Sequence, residues 1–177
     1  MRRDISDDSL AVLRDAVAME LEGKDFFELA AKTVKHPRAK EMFMSLVRQE
    51  QKHVEIIEDE ARRLESGRGW GSLDEVRSSA PRMPQVSVFK DRAVTRRRLR
   101  EDASELEVLE VGIEVEKKSI DYYRTAALKA TDPNARGLFD WLVGQEAGHL
   151  TILSAEHDAR SGAGFYYGEA EFSLETQ

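Results

Sequence analysis

Apolar residues recur at alternating spacings of three and four in four stretches of the chain, the signature of helices that bury one face. The first stripe is Leu10, Leu13, Val17, Glu20, Phe27, Ala31 and Val34, and the second is Phe43, Leu46, Glu50, His53, Ile57 and Leu64. The third runs Leu106, Leu109, Ile113, Glu116, Tyr123, Ala127, and the fourth Phe139, Leu142, Glu146, His149, Leu153. Punctuation sets the expected limits. His36-Pro37 breaks a first helix that starts near Ser6 or Ser9 and runs to about Lys35, and the second runs from Pro37 to about Glu65, before Ser66-Gly67-Arg68-Gly69. A third opens at Asp102 or Ser104 and ends near Ala130, and a fourth follows Pro133 to about Arg160. The links at residues 36 and 132 are too short for anything but antiparallel neighbours. The expected fold is therefore all-α, an antiparallel four-helix bundle of two hairpins over residues 1–160.

Residues 66–103, with Pro81 and Pro84 among glycines, serines and arginines, are expected to form a long crossover between the second and third helices. Ser72-Leu73-Asp74-Glu75 within it has the form of a capping box for a short helix. The tail, residues 161–177, carries Phe165, Tyr166, Tyr167 and Phe172 among polar residues. Aromatics of that density are expected to pack on the bundle or on a partner subunit, and a homodimer is the expected assembly.

Two stripes contain a glutamate and two contain Glu-x-x-His, and these polar residues interrupt apolar faces. On a helix, i and i+3 lie on one side, so Glu50 and His53 share a direction, as do Glu146 and His149. The spacing also repeats. Glu20 to Glu116, Pro37 to Pro133, Glu50 to Glu146 and His53 to His149 are each offset by 96 residues. The same offset superposes Asp25 on Asp121, Phe27 on Tyr123, Phe43 on Phe139, Leu46 on Leu142 and Gln49 on Gln145. Such a repeat predicts a pseudo-two-fold pair of hairpins with a site on the axis.

A carboxylate or imidazole on a buried stripe loses several kcal/mol of solvation unless compensated, and a metal ion compensates it. Glu20, Glu50, His53, Glu116, Glu146 and His149 supply four negative charges, enough to balance two divalent cations. Oxygen donors with one imidazole per ion suit iron or manganese rather than structural zinc. Oxidation of both ions adds positive charge that only an oxygen anion from dioxygen, peroxide or water would balance, which points to oxygen chemistry.

Composition narrows the rest. Length and 41% hydrophobic content suit one helical core. The absence of cysteine excludes disulfides, thiolate zinc and iron–sulfur centres within this sequence. A net charge of −7 argues against a nucleic-acid partner, and Arg96-Arg97-Arg98-Leu99-Arg100 reads as a solvated turn. No apolar run is long enough for a membrane span, and Met1 to Asp8 lacks a signal core, so the expected location is cytoplasmic.

One glutamate on each of two helices and Glu-x-x-His on each of the other two is the ferritin-like di-iron pattern. Ala16-Val17-Ala18-Met19-Glu20 through Asp25-Phe26-Phe27 resembles the first helix of the rubrerythrin branch of that superfamily, and Gly112-Ile113-Glu114-Val115-Glu116 through Asp121-Tyr122-Tyr123 its third. The resemblance spans roughly residues 6–160, without the crossover. It implies two iron ions, an oxidoreductase acting on hydrogen peroxide or dioxygen in oxidative-stress defence, and electrons from a separate protein, because the cysteine-rich electron-transfer domain is missing. The alternative is a ferroxidase or iron-storage protein. A third class is a bundle that keeps these ligands but serves interaction alone.

The extra third-helix carboxylate typical of the branch has no counterpart here: one turn either side of Glu116 stand Ile113 and Ser119. Gly23 and Ser119 leave room for a diatomic substrate or simply let helices approach. Tyr123, two turns beyond Glu116, is the candidate catalytic residue, placed to hydrogen-bond a ligand or carry an electron; otherwise it is a core tyrosine. His36 and His157 fall outside the repeat. Asp25 and Asp121 recur but sit off the stripe, and either orient a histidine or pair on the surface.

Overall fold

The computed structural model describes residues 7–78 and 103–162. Five helices occupy them: α1 (Asp7–Thr33), α2 (Pro37–Glu65), the short α3 (Leu73–Arg77), α4 (Glu105–Lys129) and α5 (Pro133–Ser161). No strand occurs among the described residues. The four long helices sit within a few residues of their expected limits because the local signals that set them are strong. Pro37 and Pro133 begin α2 and α5, and Gly162 closes α5 in the left-handed region at φ 71°. Ser104 caps α4 in a complete capping box with Glu107, as Ser72 does α3 with Glu75. Ser104→Ala is expected to cost about 1 kcal/mol. A lowered denaturant midpoint at unchanged slope would show it.

Contacts between helix ends fix the directions. Glu105, at the start of α4, accepts the backbone N–H groups of Lys35 (2.7 Å) and His36 (3.0 Å), just past the end of α1. It thereby caps α2, for which His36 offers no side-chain cap. At the other end of the bundle, the Tyr122 hydroxyl donates to the Val12 carbonyl at 2.7 Å. So α1 and α4 are antiparallel. Asn134 at the start of α5 donates to the Trp70 carbonyl beyond the end of α2, which sets those two helices antiparallel as well. Hence α2 ends, and α4 begins, at opposite ends of the bundle. With a rise of about 1.5 Å per residue, those two helix ends lie about one helix length, roughly 40 Å, apart.

The core divides in two. Leu13, Val17, Val54, Ile57, Leu64, Tyr123, Leu138, Phe139 and Leu142 form one apolar cluster. Phe26, Phe27, Phe43, Leu46, Val108, Leu109 and Leu153 form the other. The stripe glutamates and histidines lie on the same faces between the clusters. α3 and the preceding loop close over the first cluster, with Trp70 packed edge-on against Phe139 at 5.9 Å. Glu60, buried on α2, holds that loop by accepting the Gly71 N–H at 2.7 Å. The Arg96–Arg100 cluster and the aromatic tail lie outside the described residues. Among the described residues no helix is long and apolar enough to cross a membrane.

Candidate metal centre

All six stripe residues meet. Glu20, Glu50, His53, Glu116, Glu146 and His149 are each 3% exposed or less. Their donor atoms form two groups of four within which every pair lies inside 4.8 Å: Glu20, Glu50, His53 and Glu146, and Glu50, Glu116, Glu146 and His149. Glu50 and Glu146 belong to both. Nδ1 of His53 stands 3.2 Å from Glu20, 3.4 Å from Glu50 and 3.1 Å from Glu146. Nδ1 of His149 stands 3.1 Å from Glu50, 3.5 Å from Glu116 and 3.3 Å from Glu146. The imidazoles face each other nearly parallel, 5.5 Å apart.

Closeness here is not satisfaction. Both oxygens of Glu116, Oε1 of Glu146 and Nδ1 of His149 are buried and make no aligned hydrogen bond. Four unpaired donor atoms at one point in a core would be costly as a permanent state. As lone pairs aimed at a shared cation they are what a metal site requires, and the oxygen and imidazole set suits iron or manganese.

Without a metal, protons carry the balance. Burial pushes the Glu20 carboxyl well above the usual range, helped by the charges of Glu146 and Glu50. Burial, with Glu146 and Glu50, likewise pushes Glu116 up to about 9 against the opposing pull of His149. Burial also acts to raise Glu50 and Glu146, but the neighbouring imidazoles outweigh it, with Glu20 assisting at Glu50, and both stay low. For the imidazoles burial disfavours charge, yet the surrounding carboxylates prevail; His53 is raised well above its ordinary value and His149 to about 12. Two carboxyls, Glu20 and Glu116, are thus pushed toward their protonated forms and both imidazoles toward their charged forms. Protons thereby offset negative charge that two divalent cations would otherwise balance.

Residues around the cluster fix its members. Tyr123 is fully buried and donates its hydroxyl to Oε1 of Glu20. It touches the donor set through Glu20. Gln49 faces Nε2 of His149 at 3.3 Å, and the edge of Trp141 meets His53 at 5.8 Å. The repeat marks Gln49 as paired with Gln145, but no spacing argument assigns it to His149. Ser119 is buried and turns its hydroxyl back to the Val115 carbonyl at 3.3 Å. At Gly23 a methyl would meet Glu50 and Val115 at 3.8 Å, ordinary contact, so the glycine leaves a small space beside Glu50. Asp25 and Asp121 lie outside the cluster, and Asp121 is exposed. His36 stands in the α1–α2 link and His157 is half-buried near Glu110, so neither joins the centre.

Two pseudo-symmetric helical hairpins around a buried carboxylate and histidine cluster define a protein of the ferritin-like class. The family profile described as Rubrerythrin matches residues 11–157, and the chain belongs to that family. No curated protein matches the sequence. Among solved structures, the chain is similar to a two-domain protein from Anabaena variabilis that contains DJ-1/ThiJ/PfpI-like and ferritin-like domains. The TM-score is 0.63 at 15% identity, covering 92% of this chain and 39% of that one. It thus spans well under half the length of that protein. A hypothetical protein from Pyrococcus furiosus aligns with TM-score 0.61 and 20% identity over 92% of this chain and 97% of that one. A dodecameric thioferritin, the bacterioferritin-related protein of Bacteroides fragilis, aligns with 0.59 and 17% over 90% of each. At these identities the likeness concerns the fold.

Proposed function

We propose that this chain is a di-iron oxidoreductase that reduces hydrogen peroxide or dioxygen, with electrons supplied by a separate protein. The observation that supports it best is the pair of four-residue groups sharing Glu50 and Glu146. In this reading Glu20, Glu50, His53 and Glu146 hold one ion, and Glu50, Glu116, Glu146 and His149 the other; manganese would satisfy the same donors. A bound pair of redox-active ions supplies two electrons at one place, the number needed to cleave the O–O bond of peroxide. The protein's part is to hold four carboxylates against their mutual repulsion and to keep bulk water out with an apolar layer on either side. Tyr123 secures Glu20, and Gln49 orients His149. No cysteine for a thiolate iron relay occurs in this sequence, and in this reading the electrons come from a separate protein.

Anaerobic loading with ferrous iron, then rapid mixing with peroxide or dioxygen, tests the reading. The expected result is ferric absorption appearing with one peroxide consumed per pair of ferrous ions, and its loss on adding reductant. No change with either oxidant overturns it. Iron handling is the second reading, favoured by the likeness to the Bacteroides thioferritin fold. There, oxidised iron would stay with the protein as mineral. A homodimer is the proposed assembly; light scattering from a large hollow particle would favour storage instead.

A further inference from the structure

The two hairpins repeat each other around the centre, and one of the positions at which they differ donates a hydrogen bond to a cluster glutamate. Phe27 and Tyr123 are related by the 96-residue offset and sit in equivalent surroundings. Phe27 stacks on Phe43 with ring centroids 6.1 Å apart at 28°, and Tyr123 stacks on Phe139, the repeat mate of Phe43, at 6.3 Å and 21°. The tyrosine alone carries a hydroxyl, and it donates to Oε1 of Glu20. Oε2 of Glu20 is then the oxygen turned to the centre, 3.2 Å from Nδ1 of His53. Glu116, the repeat mate of Glu20, receives no such bond. Both its oxygens are buried without a hydrogen-bond partner, and Nδ1 of His149 lies 3.5 Å from Oε1.

We infer that the two metal positions are unequal, and that the one built on Glu20 and His53 is the tighter and fills first because Tyr123 positions Glu20. This rests on the di-metal reading above. A carboxylate whose second oxygen is already held gives up little further freedom when an ion arrives, whereas Glu116 must be ordered by the ion itself. The other position has its own orienting contact, Gln49 on His149 at 3.3 Å. Once ions have displaced the protons, that contact joins neutral groups while the phenol holds a carboxylate, and hydrogen bonds to a charged partner are about twice as strong. Tyr123 is on this view a positioning residue, one hydrogen bond removed from the ion.

Calorimetric titration of the metal-free chain with cobalt(II) reads this without any turnover. The wild-type chain should bind in two steps about tenfold or more apart, the range over which outer contacts of this kind tune metal affinity. Tyr123→Phe should weaken the tighter step by about 10–100-fold and leave the weaker one unchanged. Phe27→Tyr, which offers Glu116 the missing hydroxyl, should tighten the weaker step and narrow the gap. Circular dichroism melts identify a variant that fails to fold, and the other substitution then decides. Two indistinguishable steps in the wild type, a Tyr123→Phe loss shared equally by both steps, or a Phe27→Tyr chain with an unchanged gap each overturn the inference. A folded wild-type chain that binds no cobalt removes the di-metal reading itself, a separate failure.

Discussion

Glu146→Ala is expected to empty both metal positions, whereas Glu116→Ala should empty one. Glu146 belongs to both groups of four and Glu116 to a single group. Its removal takes an oxygen donor from each ion and one negative charge from the neutral balance. It also strips both imidazoles of a close partner, since Glu146 stands 3.1 Å from His53 and 3.3 Å from His149. The expected loss is more than about 100-fold at each position, beyond the range of an outer-contact substitution. Glu50→Ala should behave like Glu146→Ala, because the repeat relates the two. Metal content after dialysis, read with a thermal melt to confirm folding, checks the pattern. Two ions retained by Glu146→Ala would contradict the shared-ligand assignment.

Metal affinity is also expected to depend steeply on pH, falling as the solution becomes more acid. Four groups in the metal-free cluster are shifted toward their protonated forms: His53, His149, Glu20 and Glu116. Each must release its proton before its lone pair can reach an ion, so each adds one proton to the binding equilibrium. The combined affinity for two ions should therefore rise by up to about four powers of ten per pH unit near neutrality. The slope lessens above a pH of about 9, where Glu116 gives up its proton unaided. Titrations in buffers of different ionisation enthalpy count the protons directly. Release of one or none would mean that the donors are already bare in the folded chain.

Much of this arrangement is legible in the chain because the signals are local. Pro37, Ser104 and Pro133 mark helix starts by backbone geometry and capping, which do not wait for tertiary contacts. The six polar residues stand out because each interrupts an apolar stripe, and the constant offset shows that the interruptions belong together. The features that escape such a reading are those set by how helices meet. Gln49 reaches His149 across 100 positions of sequence, and Trp141 borders His53 from another helix. Tyr123 is on the expected face, yet its hydroxyl finds Glu20 rather than the nearer-numbered Glu116 because α1 and α4 run antiparallel. The buried Glu60 breaks the simple stripe for a reason found only in the loop it holds through Gly71.

The sharing of donors between hairpins bears on how such a centre assembles. Each group of four takes three residues from one hairpin and a single residue from the other. Neither half is self-sufficient, and a lone hairpin would need to meet a second copy of itself to complete either coordination shell. Fusing the halves into one polypeptide turns that encounter into a tethered one, so the last ligand arrives at an effective concentration in the millimolar range however dilute the protein is. Fusion also ends the obligation for both halves to be identical, which is what allows a hydroxyl to stand on one side of the axis and not on the other.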